Sequence, residues 1–362
     1  MKYILSAVSL LFGAVILIDP AVMGDALRGA VFSCLEVIIP SLYAFTVLAV
    51  YLQRSGLYRT ALRPLTFPLS KLLKLDEELC AVFLLGNLGG YPVGARLLTQ
   101  LVRENRLSRH DAGRMLCFCY GSGPSFIISI AGMNVFGSAA AGAVLFLACF
   151  LSSLTIAIFL CRRGEKIKII PAVSQNGKTT GCFVESVMSA AKVMFTVCAA
   201  IVGFSAVSAA LDILGISSAV SSVLSAAGAG ANSDMLLPAL LEISRTGGLL
   251  FTGGHIFPLT AALLSFGGIC VLMQVSALTA GDIPLKGFLL SRIPAALLSA
   301  GYSCIGLLLP ITAIEASTSG VVRTQVFSVN AGLSLCVLMM CGMLIIDDRN
   351  TRPLTISFPS RK

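Results

Sequence analysis

Three stretches of this chain set polar and conformationally special residues inside apolar sequence, at spacings suited to recognition of a small anion. The first, Leu84–Leu98, reads LLGNLGGYPVGARLL and holds Asn87, Gly89, Gly90, Tyr91, Pro92, Gly94 and Arg96. The second is the run Ser122-Gly123-Pro124-Ser125, and the third comprises Glu242, Ser244 and Arg245 within Met235–Leu250. A proline in the first turn of a helix sacrifices no hydrogen bond, because the N–H it lacks has no partner there. Half-helices that begin after Pro92 and at Pro124 would therefore aim free N–H groups and positive dipole ends at a shared space, which suits a carboxylate or phosphate. Tyr91 could stack on an aromatic ring, and the hydroxyl of Ser122 or Ser125 could donate to a carboxylate.

Each of these groups also has a plainer reading, which the sequence leaves open. Glycines allow helices to pack closely. Arg96 could run back to lipid headgroups, and Arg245, three residues after Glu242, could form a structural ion pair. Glu36, Glu185 and Lys192 are candidates for binding a coupling ion or a proton, with a place near the membrane surface as the alternative. His110 falls in a basic loop, and His255, after Gly253-Gly254, fits a cap or loop better than a proton relay. Catalysis finds no support: there is no H-E-x-x-H, P-loop or G-x-S-x-G, and only two histidines are present. No cofactor or metal is expected, since Cys117 and Cys119 form a C-x-C without a second cluster and most other cysteines sit in apolar spans as small hydrophobes.

The elements that must position these residues belong in a membrane. The 362 residues are 56% hydrophobic and 12% charged, with a mean hydropathy of +0.92, far outside the range of soluble globular domains. The net charge of +9 lies in short segments between apolar runs, a positive-inside pattern and not a nucleic-acid surface. Ile4–Ile18 reads as an uncleaved first span and Val31–Leu52 as the next. Gln53–Glu78 follows as an amphipathic surface helix. Glycine-rich Leu79–Leu98 cannot face lipid with a broken backbone, so it is predicted to be a re-entrant hairpin buried in protein. Met115–Gly132, Val135–Leu160, Phe183–Leu211, Ile256–Val275, Phe288–Leu309 and Val326–Ile346 complete the spans. Met235–Leu250 reads as a second re-entrant hairpin, entering from the opposite face.

The predicted fold is thus an all-α polytopic membrane protein of about eight transmembrane helices, with two broken hairpins in inverted-topology repeats. Both halves follow one order: a span with an early glutamate, Glu36 or Glu185, a Phe-Thr-Val triplet at Phe45 or Phe195, a broken hairpin and a pair of spans. Three full spans separate the starts of the two units, and an odd number inverts the second. Such repeats carry substrate sites at their interface in alternating-access carriers. The predicted organisation is 1–30, N-terminal helix and outer loop; 31–160, first unit; 161–182, basic cytoplasmic linker; 183–310, second unit; and 311–362, C-terminal helix and cytoplasmic tail.

The segments PSLYAFTVLAVYL, LLGNLGGYPVGARLLTQL, CYGSGPSFIISIAG and ALLEISRTGG, in that order, resemble the YlbJ-type (SpoVV) sporulation integral membrane proteins. The resemblance runs from about Ser33 to Leu309, and Gly90–Arg96 and Gly123-Pro124-Ser125 are its most specific parts. It implies that 31–160 and 183–310 are nucleoside-recognition (Gate) repeats. It also implies a multi-pass protein of the outer forespore membrane that moves dipicolinic acid, a flat aromatic dianion. The partners expected are the lipid bilayer and a small anionic substrate, without nucleic acid; homo-oligomers and sporulation membrane partners stay open. The alternatives are a nucleoside or other small-molecule carrier, and a non-transporting scaffold that recruits partners through its basic surfaces.

Overall fold

The computed structural model describes residues 2–170 and 179–307. The predicted span Val326–Ile346, the 311–362 unit and part of the basic linker lie outside the described residues. The described chain is all-α and contains no strand, only an isolated antiparallel bridge between Leu107 and Ile169. Five helical stretches among the described residues are long and apolar enough to cross a bilayer: Pro20–Ser55, Ala139–Arg163, Cys182–Ile213, Ile256–Thr279, which is interrupted at Gly267-Gly268, and Lys286–Gly306. Lys2–Ile18 and Pro124–Phe136 are shorter apolar helices.

The N-terminal region corrects one expectation. Residues 20–30, predicted as part of an outer loop, are helical. Helix α1 (Lys2–Ile18) stops at Asp19, whose side chain accepts from the Val22 N–H at 3.1 Å and caps helix α2 (Pro20–Ser55), with Pro20 in the first turn. Cap and proline together start a helix that Gly24, Asp25 and Gly29 would otherwise disfavour. Pro40 lies further along α2 and cannot donate to the carbonyl four residues back. The ladder widens there into a π-turn, Cys34–Ile38, with the Ile39 N–H bonded to Cys34 O. Helix α2 ends at left-handed Gly56.

Two short helices follow, α3 (Tyr58–Ala61) and α4 (Arg63–Leu73). The predicted single surface helix Gln53–Glu78 is thus divided among the end of α2, α3, α4 and the start of the helix that follows; on α4, Leu65, Phe67 and Leu72 are exposed while Thr66 and Leu73 are buried. Helices α5 (Glu77–Leu88) and α6 (Tyr91–Arg103) then form a tight hairpin. Next come α7 (Arg109–Leu116), an extended segment, α8 (Pro124–Phe136) and α9 (Ala139–Arg163). Arg109–Arg114, predicted as a basic loop segment, is helical because Ser108 caps α7 through the Asp111 N–H at 3.0 Å.

The second half contains α10 (Thr179–Ile213), α11 (Ile216–Leu224), α12 (Ser233–Leu241), a 3-10 turn at Ile243–Gly248, α13 (Ile256–Phe266), α14 (Gly268–Thr279) and α15 (Lys286–Gly306). Helices α2 and α10 pack antiparallel: Tyr51 meets Phe183 at 5.9 Å, Arg54 pairs with Glu185, and the Ser205 hydroxyl donates to Ala26 O at 3.2 Å. Small residues bring α9, α13 and α15 together. Ser152 donates to Ala295 O at 2.8 Å and Ser299 to Ala261 O at 3.0 Å, bonds that glue helices where water is absent.

Candidate functional site

Four helix breaks meet in the protein interior. At the first, the Gly89 N–H closes α5 on Leu85 O at 2.8 Å, and Gly90 turns the chain with φ +96°, a conformation that glycine adopts without steric cost. Helix α6 restarts at Tyr91-Pro92. Gly94 allows the closest approach in the hairpin, because a Cβ there would overlap the Cys119 carbonyl oxygen. The segment 117–123 therefore threads directly across the hairpin. Asn87 fastens it, donating from Nδ2 to Phe83 O at 2.9 Å and Phe118 O at 3.0 Å.

The second break ends that segment at Gly123 and starts α8 at Pro124. A Cβ on Gly123 would stand 3.1 Å from Leu88 O and 3.2 Å from Gly90 N, so the N-termini of α6 and α8 lie side by side. Each is 13 residues long, and the two positive ends reinforce one another.

The third break was not foreseen, since Ile256–Val275 reads as one unbroken span. Helix α13 stops at Gly267 and Gly268, both with positive φ, and its last four carbonyls would be orphans. All four are satisfied. Leu263 O accepts from the Gly267 N–H at 2.9 Å, Leu264 O from the Tyr91 hydroxyl at 2.6 Å, Ser265 O from Arg292 at 3.5 Å, and Phe266 O from the Tyr120 hydroxyl at 3.3 Å. Arg292, only 1% exposed, also donates to Cys117 O and lies 4.6 and 4.9 Å from the Tyr120 and Phe288 rings. Its cation thus sits at the carbonyl ends of α7 and α13. The available signal was one arginine inside the apolar run Phe288–Leu309, where an ionisable group calls for a partner.

The fourth break falls at Glu242, where α12 gives way to an extended residue (φ −138°, ψ 115°) and then to the 3-10 turn. The Glu242 carboxylate accepts from the Ser244 N–H at 2.9 Å and from the Ser244 hydroxyl. Asn232 pairs both ways with the Leu250 backbone, at 2.9 and 2.7 Å, and so closes the loop over the break.

Two small cavities lie among the breaks. One, about 10 Å³, is bordered by Asn87, Tyr120, Gly121, Ser122, Ser153 and Ser265 among apolar neighbours. The other, about 20 Å³, is bordered by Tyr91, Pro92, Ser122, Glu242 and Gln274, with Ile38, Leu42, Val197, Ile201 and Val271. Ser122 faces both and is 2% exposed; its hydroxyl lies near that of Tyr91, which bonds Leu264 O instead, and makes no hydrogen bond within 3.5 Å. A site of this size holds about one water molecule.

The remaining predicted residues divide. Gly89, Gly90, Gly123 and Pro124 shape the breaks, and Gly94 serves close packing. Ser125 borders neither cavity. Arg96 donates to Ser189 at 3.0 Å and Arg245 to Ser205 at 3.0 Å, so the two arginines hold the same helix, α10, and neither borders either of these two cavities. Arg245 makes no ion pair with Glu242 within 4.0 Å. Glu36, Glu185 and Lys192 are exposed on their helices, not turned to the interior. Helical register decides this: Cys34, Leu35 and Ile38 take the inner face of α2, and Ser186, Ser189 and Val193 that of α10. Glu185 faces outward against Arg54. Sequence reasoning missed Tyr120, Asn232, Gly267, Gln274 and Arg292.

Away from the cavities, the basic segment after α6 is tied down. Arg106 forms a bidentate pair with Glu78 at 2.8 and 2.6 Å and donates to Ile170 O at 3.0 Å. Burial works against its charge, but the Glu78 hydrogen bonds and charge prevail and raise the guanidinium pKa. Beside them Tyr58 is 3% exposed; burial pushes its hydroxyl up to about 12, opposed by Arg59 and reinforced by Glu78. Arg103 pairs with Asp282 at 2.7 Å and Arg109 donates to Asp282 O at 2.8 Å, joining α6 and α7 to the α14–α15 turn.

No family model matches the chain, and no solved structure matches it. Among curated proteins it is similar to the sporulation integral membrane protein YlbJ of Bacillus subtilis (strain 168), with 26% identity over 321 residues, covering 77% of this chain and 76% of that protein. Together with five apolar helices of spanning length, this similarity over most of both chains supports the YlbJ-type family for this multi-pass membrane protein.

Proposed function

We propose that the chain is a secondary carrier or facilitator that moves a small organic anion across a membrane of a sporulating cell. Dipicolinate, which the YlbJ-type resemblance implies, is the first candidate, and the outer forespore membrane is the expected location. The observation that carries the reading is the junction of the α6 and α8 N-termini at Gly90 and Gly123, beside the buried and unpartnered Ser122 hydroxyl. Positive helix ends and a free donor, enclosed by apolar side chains, form an environment in which a carboxylate is stabilised more strongly than at a surface. In this proposal α5–α6 and the Glu242 break are re-entrant elements of two inverted Gate-like repeats, and the antiparallel packing of α2 on α10 supports that symmetry. About eight crossings complete the topology.

Cavities of 10 and 20 Å³ admit no aromatic dicarboxylate, so the conformation described is a closed one and substrate entry requires the breaks to part. The test is flux of labelled dipicolinate into liposomes containing the purified protein. Ser122→Ala should cut flux at least about tenfold, the equivalent of one charge-assisted hydrogen bond. Arg96→Ala combined with Arg245→Ala should reduce it as well; normal flux in that double variant would remove both arginines from the substrate path and confine them to holding α10. Wild-type liposomes impermeable to dipicolinate and to a panel of other anions would overturn the proposal.

A second reading is favoured by Glu242 and Gln274, which border the larger cavity with an acceptor and a donor suited to a neutral hydroxyl- or amide-bearing solute such as a nucleoside. Competition of nucleosides with dipicolinate in the same flux assay separates the two.

A further inference from the structure

Glu242 is at odds with its surroundings. Its residue is 6% exposed, and the cavity it borders is lined mainly by Ile38, Leu42, Val197, Ile201 and Val271. An ionised carboxylate taken out of water needs a counter-charge, and among the described residues no Lys or Arg lies within 4.0 Å of it. Arg245, the cation nearest in sequence, is bonded instead to Ser205 on α10. The other titratable groups around it are the Cys34 thiol from α2, the Cys270 thiol from α14 and the Tyr91 phenol from α6, whose proton is given to Leu264 O. None of these supplies positive charge. The Ser244 N–H and hydroxyl occupy acceptor positions on the two carboxyl oxygens and leave room for a proton on either.

The same cavity is bordered by Ser122 and lies beside the paired N-termini of α6 and α8, where the anion is proposed to bind. A negative Glu242 would repel that anion across a few ångströms of low dielectric; a protonated one would not. We propose that Glu242 is the coupling group of the carrier, binding one proton that travels with the anion and that leaves when the Glu242 break opens to water. The assignment rests on the carrier reading for its transport role. The protonation itself stands on burial and on the lack of an ion pair within 4.0 Å, Arg245 acting on the carboxylate only from farther away.

The experiment has two arms. In liposomes with the membrane potential clamped at zero, wild-type protein should accumulate dipicolinate about tenfold per unit of inwardly directed acid gradient, the yield of one co-transported proton. Glu242→Gln should lose the accumulation, and whatever flux it keeps should no longer follow the pH gradient. Wild-type flux that ignores the pH gradient would overturn the proposal. In the second arm, infrared spectra of membrane-embedded protein at neutral pH should contain the carbonyl band of a protonated carboxylic acid that disappears in Glu242→Gln, with Glu242→Asp as a shifted control. If wild-type liposomes pass no anion, the carrier reading falls and this band alone decides the proton site. Its absence from the wild-type spectrum overturns the assignment whatever the flux.

Discussion

The α5–α6 hairpin and the Glu242 break are equivalent in the predicted repeat, yet they are built in opposite ways. The hairpin has a full helix on each side of Gly89-Gly90, and nearly every residue from Leu79 to Leu98 is buried. Backbone meets backbone there, at Gly94 against Cys119, and no side chain can yield. The Glu242 break has one helix, a single 3-10 turn and an exposed Arg245, and it is closed mainly by side chains: Asn232 on Leu250 and Ser244 on Glu242. A region with few buried backbone contacts opens at lower free energy than the core around it. We infer from this comparison that the first element is the fixed wall of the proposed site and the second the part that moves.

The largest effect expected from this comparison is at Gly94. Gly94→Ala should lower stability by about 1–3 kcal/mol through overpacking, read from thermal or denaturant unfolding in detergent. Gly248→Ala, whose Cβ would meet only the end of the Met235 side chain, should stay within about 0.5 kcal/mol. Equal losses at the two sites would erase the contrast. Next come the polar ties. Tyr91→Phe leaves the Leu264 carbonyl without a partner in the interior and should cost about 1–3 kcal/mol. Asn232→Ala removes two bonds from a partly buried loop and should cost about 1 kcal/mol, while making the cysteine variant Leu250→Cys react faster with a water-soluble maleimide. A larger loss for Asn232→Ala than for Tyr91→Phe would reverse the assignment of wall and gate.

Smaller differences should follow at the arginines. Ser189→Ala removes the partner of half-buried Arg96 and should cost about 1 kcal/mol. Ser205→Ala frees an exposed Arg245 and should cost no more than about 0.5 kcal/mol. The smallest effect is one of pH. Tyr58, near the Glu78–Arg106 pair at the foot of the hairpin, has its folded-state pKa raised from 10.0 to about 12. The folded state therefore favours the neutral phenol. This stabilisation is complete below pH 10 and is lost as pH rises toward 12, because the unfolded chain releases the proton first. Unfolding midpoints measured from pH 10 to 12 should fall less steeply in Tyr58→Phe than in the wild type; parallel slopes would remove Tyr58 from the account.

Much of this architecture was legible in composition and in Gly/Pro placement. The hairpin at Gly89-Gly90, the break at Gly123-Pro124 and the interruption at Glu242 all follow from residues that an unbroken helix disfavours. The amphipathic α4 followed from its alternating charges and leucines. Three features were not legible. The Asp19-Pro20 start signal was outweighed by the glycines and charges behind it. The Gly267-Gly268 break hides inside an apolar run, and only the carbonyls it frees, taken up by Tyr91, Tyr120 and Arg292 from distant parts of the chain, make it stable. Finally, Glu36, Glu185 and Lys192 were candidates for the interior by sequence depth, with a place near the membrane surface left open. Their outward orientation is fixed by a helical register that depends on which neighbours the inner face meets.

The fully engaged end of α13 has a mechanical consequence. Tyr91, Tyr120 and Arg292 reach its carbonyls from α6, the 117–123 segment and α15, so none of these parts can slide on another without abandoning a bond in a place where no solvent can replace it. We expect them to move as one rigid body, welded at the point where the polypeptide looks most interrupted. Any rocking motion must hinge around the perimeter of that body, not through it.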